Sequence, residues 1–321
     1  MTIHSFSGRT LPNTIQYALY TIKVKHEFSA DAGVLVSLKY ENQGGKQSRC
    51  CYSSHVKIIY GAHDRGVWSL GTDMILKERP DDGPKNEAKT LKLLASYTNI
   101  PAPELVRDWV DRDRRYFVLQ KRMDGETLGD AWPLLSHNQR VAIADQVAGI
   151  CKHLHSITSS SIQSVDQTAC SPALLFFDFE PRGPFHSDLE LWDAISLTLH
   201  NPPERSFPQQ ALDNLKKRLP KCTPYVLTHC DLNIGNIMVK DGQLVGILDW
   251  EHAAYYPIWY EYVSATWGFT EADAEWRRLL RQRLDTHEDA KRFWMDLYHL
   301  RNYPDLDEKG REVLEKLSAE S

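Results

Sequence analysis

Thr228-His229-Cys230-Asp231-Leu232-Asn233-Ile234-Gly235-Asn236-Ile237-Met238-Val239 is the stretch on which the reading of this chain turns. The apolar run Tyr225 to Thr228 leads into it and a second run begins at Ile237, so the residues between are predicted to form a loop joining two strands. Asp231 and Asn236 stand five positions apart. In a short loop these side chains can face one cavity, a carboxylate able to orient a hydroxyl and an amide oxygen able to help hold a divalent cation. The same residues also suit a turn-rich loop in which each bonds to nearby backbone.

Working outward, the apolar run Leu244 to Leu248 ends at Asp249, thirteen positions after Asn236. A carboxylate at the end of a buried strand suits a cation that bridges phosphates; it also suits a cap on the turn Trp250 to Ala254. With His229, the spacing of Asp231 and Asn236 is that of the H-x-D-x-x-x-x-N loop of phosphoryl transfer. Upstream, strand alternation in Met74-Ile75-Leu76-Lys77 sets Lys77 on the face of Ile75. Glu87 shares a helix face with Leu91 and Leu94. A glutamate on an apolar face needs a partner, because an unpaired buried charge costs several kcal/mol. Lys77 is the expected partner and can also hold nucleotide phosphates; a surface lysine and a helix-start glutamate favoured by the dipole are the plainer alternative.

The rest of the chain divides by character. Val56 to Tyr60, Gly66 to Leu70 and Asp73 to Glu78 read as strands separated by glycine turns. A helix follows Pro84, with Ala88, Leu91, Leu94 and Ala95 on one face. Strands return at Glu104 to Val110 and Tyr116 to Lys121, before a turn at Asp124-Gly125. Beyond it Ser136 is expected to cap a helix carrying Ile143, Val147, Ile150 and Leu154, and Asp188 one carrying Leu191, Ile195 and Leu199. Strands at Tyr225 to Thr228 and Ile237 to Asp249, the latter folded at Asp241-Gly242, precede three polar, tryptophan-rich helices from Thr270 onward. The expected organisation is a small sheet-rich lobe over 1–122, with 1–50 as an extension of undefined role, and a larger helical lobe over 123–321.

Composition sets limits. At 321 residues the chain has room for two domains of roughly 100–200 residues. Its 42% hydrophobic and 25% charged residues exclude a disordered, collagen-like or membrane-spanning protein. Lys plus Arg number 38 against 43 Asp plus Glu, a net charge of −5 that argues against nucleic acid as a partner. Six scattered cysteines form no CxxC pair, which suits reduced thiols. The polar start Met1 to Thr14 lacks the core of a secretory signal, so a cytoplasmic protein with no membrane partner is expected. No H-E-x-x-H occurs, and His153 and His155 fall on different faces of a helix, against a metal hydrolase.

The sequence resembles the aminoglycoside phosphotransferase and choline kinase-like family, whose fold is similar to that of the protein kinases. Lys77, Glu87, Phe117 to Leu128, His229 to Val239 and Ile247 to Ala253 carry the likeness in the family's order, and Gly66 to Gly71, Gly183 to Phe185 and Pro257 to Tyr262 resemble its fungal members. The resemblance implies an α+β, protein-kinase-like two-lobed fold, small and β-rich at the N-terminus and larger and helical at the C-terminus. It implies ATP and Mg2+, with Lys77 on the phosphates, Glu87 as its ion-pair partner, Lys121 to Met123 at the adenine edge, Asp231 and His229 in the catalytic loop, and Asn236 and Asp249 as metal ligands. The expected reaction moves the γ-phosphate of ATP to a hydroxyl of a small molecule; a degenerate fold that binds nucleotide or metabolite without transfer is the alternative.

The chain also departs from that family. Cys230 stands at a usual glycine, no G-x-G-x-x-G covers the phosphates, and Trp250-Glu251 replaces Phe-Gly. There is no A-P-E segment, which argues against a protein substrate. On the acceptor side, Asp188, Glu251, Trp259 and Glu261 suit a cationic small molecule through charge pairing and cation–π contact, and equally suit solvated helix faces and core packing. Trp250, Trp259, Trp267, Trp276 and Trp294 are expected chiefly in the core.

Overall fold

A computed structural model describes residues 55–199, 207–302 and 308–319. Cys50, Cys51 and the expected N-terminal extension lie outside them. The chain divides into two compact units, Met1–Asp81 with Val106–Arg122 and Asp82–Leu105 with Met123–Ser321.

The first unit is built on a five-stranded sheet in the order β1-β2-β3-β5-β4: β1 Val56–Ala62, β2 Arg65–Leu70, β3 Met74–Pro80, β4 Leu105–Val110 and β5 Arg115–Lys121. Register follows the apolar alternation. Trp68 pairs with Leu76, which pairs with Leu119, and buried Leu70, Leu76, Phe117 and Leu119 form one small core with Trp68 and Trp109. Lys77 stands one residue out of phase, opposite Val67 and Val118, on the face of Ile75 as the alternation predicts.

The second unit takes up α1 Asn86–Leu94, which the sequence reading assigned to the first lobe. The reason is hydrophobic: Leu91, Leu94 and Ile100 are buried with Leu128, Ile143, Val147 and Trp250 in one core. Glu87 lies buried in the first turn of α1. Ala95 is not on that face but exposed, closing the helix as its last cap, and Pro84 lies just outside the helix.

Next come β6 Glu126–Thr127, α2 Leu128–Ala131 and α3 His137–His155. Ser136 and Gln139 form a reciprocal capping box at the start of α3, a device that stabilises a helix by about 1 kcal/mol. Ile143, Val147 and Leu154 are buried, whereas Ile150 is half-buried and Cys151 fills the stripe beside it. After β7 Thr158–Ser159 and α4 Ala173–Phe176, α5 covers Asp188–Leu199. Its cap is Ser187, not Asp188: Ser187 Oγ accepts the Glu190 N–H while the Glu190 carboxylate accepts the His186 N–H.

Then follow α6 Gln209–Lys217, β8 Tyr225–Thr228, β9 Ile237–Lys240, β10 Gln243–Ile247, β11 Ala254–Pro257, α7 Tyr260–Ser264, α8 Glu271–Arg281, α9 Glu288–Asn302 and α10 Glu308–Ala319. The β9–β10 hairpin turns at Asp241-Gly242, both at positive φ, as Asp-Gly predicts. Two three-stranded sheets result, β10-β9-β6 and β11-β8-β7. Besides the long helical connection from β6 to β7, the chain makes two short crossings between them, through 229–236 and through 248–253. Both crossings are closed by ladder pairs, Thr228 with Ala254 at one side and Ile237 with Ile247 at the other. No helix among the described residues is long and apolar enough to cross a membrane.

Candidate active site

The two crossings lie side by side, and most polar atoms along them are bonded. Leu248 N–H donates to Asn236 O at 2.8 Å. His229 joins the same two segments: its Nδ1 accepts the Asp231 N–H at 3.2 Å, so Nε2 carries the proton and donates to Leu248 O at 2.8 Å. Burial pulls the His229 pKa below its ordinary value of 6.5, and the ring stands edge-on to Trp250 at 4.6 Å. His229 is thus a neutral, fully buried spacer with both nitrogens in use.

Asp231, at 30% side-chain exposure, is the open group of the loop. Its Oδ2 accepts Asn233 Nδ2–H at 2.8 Å and Asn236 Nδ2–H at 3.1 Å, and its Oδ1 accepts Arg277 Nη2–H at 3.1 Å. Asn236 Nδ2 also donates to Asp231 O at 3.0 Å, which commits the amide nitrogen and leaves Oδ1 as the atom that can meet a cation. The loop backbone is fixed from outside. Trp276 Nε1–H donates to Leu232 O at 2.9 Å, Asp273 Oδ1 accepts the Ile234 N–H at 2.9 Å, and Gly129 N–H donates to Ile234 O at 2.9 Å.

Asp249 takes the left-handed conformation at φ 62°, and its side chain makes no capping bond to the 3-10 turn Trp250–His252. Helix α1 packs against that turn. Glycine is required at Gly125, φ 111°, where a Cβ would press on backbone, whereas at Gly246 it would press on the end of a flexible side chain. A Cβ on Gly125 would meet Val239 O at 2.4 Å, and one on Gly246 would meet Met123 Sδ at 2.3 Å. An amide oxygen and a carboxylate are hard donors of the kind Mg2+ takes in ones and twos beside substrate phosphates, so Asn236 and Asp249 fit that ion. Among the described residues no group of three or more His, Cys, Asp or Glu forms a cage for another metal.

Residues 57–294 match the model of the APH phosphotransferase enzyme family. The chain belongs to that family. Aminoglycoside 3'-phosphotransferase of Escherichia coli is 24% identical over 235 residues, covering 70% of this chain and 78% of the relative. Solved aminoglycoside phosphotransferases share the fold. APH(4)-Ia superposes with a TM-score of 0.54 at 15% identity, over 83% of this chain and 90% of that one. APH(2'')-Ib, solved with ADP bound, gives 0.52 at 14%, over 83% and 92%. The α+β, kinase-like fold expected from the sequence is therefore the fold of this phosphotransferase.

Within the phosphotransferase, Asp231, Asn236 and His229 lie together in the loop, joined by the Asn236 bonds to Asp231 and the Asp231 N–H bond to His229. Lys121 ends β5 with its side chain exposed, and Lys77 sits mid-sheet in β3. The expected acceptor residues fare differently. Glu261 is 2% exposed; its Oε2 accepts the N–H groups of His229 at 3.0 Å and Cys230 at 3.1 Å, and its Oε1 accepts Ser264 Oγ–H at 3.0 Å. It straps the loop from beneath, and its burial, unlike the part exposure of Asp231, keeps an outside ligand from its remaining acceptor position. Trp259 is buried, donating to Lys221 O at 3.2 Å. Asp188 accepts the Cys222 N–H at 3.4 Å, and Glu251 lies 3.5 Å from His252. Among the described residues of this unit, the large exposed aromatics are Phe179, Trp267 and Phe269, with Phe179 5.1 Å from His252 and Phe269 5.7 Å from the Arg277 guanidinium.

Cys230 has φ 75°, which explains the family's glycine: a side chain in this left-handed conformation costs about 1–2 kcal/mol. Burial and the Glu261 charge push its thiol far above the ordinary range. Asn233, Asp273 and Arg277 were missed by the sequence reading. Asn233 is one more loop amide, but Asp273 and Arg277 had a legible signal: both fall on the stripe of Trp276 and Leu280 on α8, charges on an apolar face just as Glu87 is.

Proposed function

We propose that this family member transfers the γ-phosphate of ATP to a hydroxyl of a small molecule. Asp231 carries the reading. A carboxylate accepts about four hydrogen bonds, and three N–H donors already hold this one, so about one position remains on a partly exposed group. That position suits the hydrogen of an incoming hydroxyl. As the acceptor oxygen bonds to the γ-phosphorus, the bond to the β–γ bridging oxygen breaks with its electron pair leaving on ADP, and the hydroxyl proton passes to Asp231. His229, with no free nitrogen, positions the loop and takes no proton.

Asn236 and Asp249 would hold Mg2+, which supplies charge neutralisation on the phosphates when bound. Lys77 with Glu87, and Lys121 with Met123, are proposed for the phosphates and the adenine edge on the family resemblance alone. For the acceptor, Glu251, His252 and the exposed rings of Phe179, Trp267 and Phe269 take the place of Trp259 and Glu261. A fold that binds nucleotide without transfer would not need an open carboxylate held by three donors. The proposal is tested by titrating ATP into Asn236→Ala and Asp249→Ala with and without Mg2+. Both should lose magnesium-dependent affinity, Asp249→Ala more because it removes a charge, and wild-type affinity in both would reject the assignment.

A further inference from the structure

Arg277 is 5% exposed, and its guanidinium is fixed in three directions. Nε–H donates to Asp273 Oδ2 at 3.0 Å, Nη1–H to Ser264 O at 3.1 Å and Nη2–H to Asp231 Oδ1 at 3.1 Å. Asp273 is itself buried, and besides Arg277 it accepts the Ile234 and Phe269 N–H groups. The exposed Phe269 ring lies 5.7 Å from the guanidinium carbon.

Such a group is a poor choice for stability alone. Desolvating a buried ion pair costs about as much as the attraction returns, and the neighbours Trp276 and Leu280 show that apolar residues fit this stripe. What a planar guanidinium adds is direction, because its donors keep fixed angles to one another. Asp231 is held at Oδ1 from α8 and at Oδ2 from its own loop, by Asn233 and Asn236. Two anchors from different elements fix the plane of the carboxylate; the loop amides alone would leave it free to turn about them.

We propose that Arg277, seated by Asp273, is a positioning residue that sets the plane of the Asp231 carboxylate, so that its remaining acceptor site meets the incoming hydroxyl. This rests on the phosphotransferase reading. A residue that only braces α8 against the loop would move stability; a residue that aims Asp231 moves turnover, and only when Asp231 is a carboxylate.

The experiment measures hydrolysis of Mg·ATP by water, with water in the acceptor's place, alongside calorimetric Mg·ATP affinity and thermal unfolding. Arg277→Lys keeps the charge but not the fork. It should stay folded and bind Mg·ATP within about twofold of wild type, yet turn over about 10- to 100-fold more slowly, the size of loss that a misplacement of about 1 Å brings. On an Asp231→Asn background the same change should cost less than about twofold, since residues acting as a unit are not additive. Millimolar methylguanidine should restore part of the activity of Arg277→Ala. If Arg277→Ala does not fold, the Arg277→Lys cycle decides by itself. Wild-type turnover in Arg277→Lys, or an equal loss on both backgrounds, overturns the proposal. Equal hydrolysis by wild type and Asp231→Asn instead removes the phosphotransferase reading, and the proposal with it.

Discussion

Replacing Glu261 separates a loop strap from an acceptor ligand. In Glu261→Ala the N–H groups of His229 and Cys230 lose their common acceptor in a site only 2% exposed. Each is a hydrogen bond to a charged group, worth about 1.5–3 kcal/mol, and the donors left behind are buried. Ser264 Oγ–H keeps a second acceptor in Glu261 O at 2.9 Å, so its loss adds little. The expected destabilisation is about 3–5 kcal/mol. In Glu261→Gln the amide oxygen can still take both N–H groups, and the Ser264 hydroxyl can turn to accept from the new NH2, so the loss should be about 1–2 kcal/mol. Urea unfolding followed by tryptophan fluorescence reads this directly, because Trp250, Trp259 and Trp276 lie in the cores of the second unit. A loss below about 1 kcal/mol in Glu261→Ala, about a fifth to a third of what a charged buried acceptor should bring, would refute the strap.

Three further outcomes follow from the same geometry. Cys230 should resist iodoacetamide in the native protein at pH 8 and react once unfolded, as read by site-resolved mass spectrometry; burial and Glu261 disfavour its thiolate, and native alkylation would contradict this. Cys230→Gly should leave stability within about 1 kcal/mol of wild type, relief of the left-handed strain offsetting lost packing, whereas Cys230→Val should cost about 2 kcal/mol or more. Burial also lowers the pKa of His155, His229 and His287 below 6.5 in the fold, so the unfolded chain binds their protons more readily. Their contribution is therefore complete above pH 6.5 and declines as pH falls below it, and urea unfolding from pH 7.5 to 5 should show stability dropping over that window, not a flat or rising profile.

How much of this was legible in the sequence depended on whether the signal was local. The strand pairings of the first unit follow apolar alternation, and the Asp241-Gly242 hairpin and Ser136 cap follow turn and capping chemistry confined to a few residues. The loop carrying Asp231 and Asn236 was legible because the strands beside it were. The placing of α1 was not, since Leu91 and Leu94 read as apolar whichever core receives them. Glu261 and Trp259 were misread for a related reason. A glutamate and a tryptophan near the site look alike in sequence whether they face a ligand or lie beneath the loop, and only the backbone N–H groups of His229 and Cys230 show that Glu261 is spoken for. Asp188 was misread as a cap because Ser187, one residue earlier, does the same work. Asp273 and Arg277 are related by local i, i+4 spacing, but the link from Arg277 to Asp231 joins positions 46 residues apart, and no local pattern relates those two.

The central claim, that Asp231 aims an acceptor hydroxyl at the γ-phosphate of ATP, is tested most directly by ADP release from Mg·ATP. Wild type and Asp231→Asn are compared over a panel of hydroxylated small molecules and with water alone, with ATP affinity measured on the same samples. Asp231→Asn should bind ATP as wild type does and release ADP at least about 100-fold more slowly, the low end for a positioned acid or base. ADP release by Asp231→Asn at the wild-type rate would contradict the account.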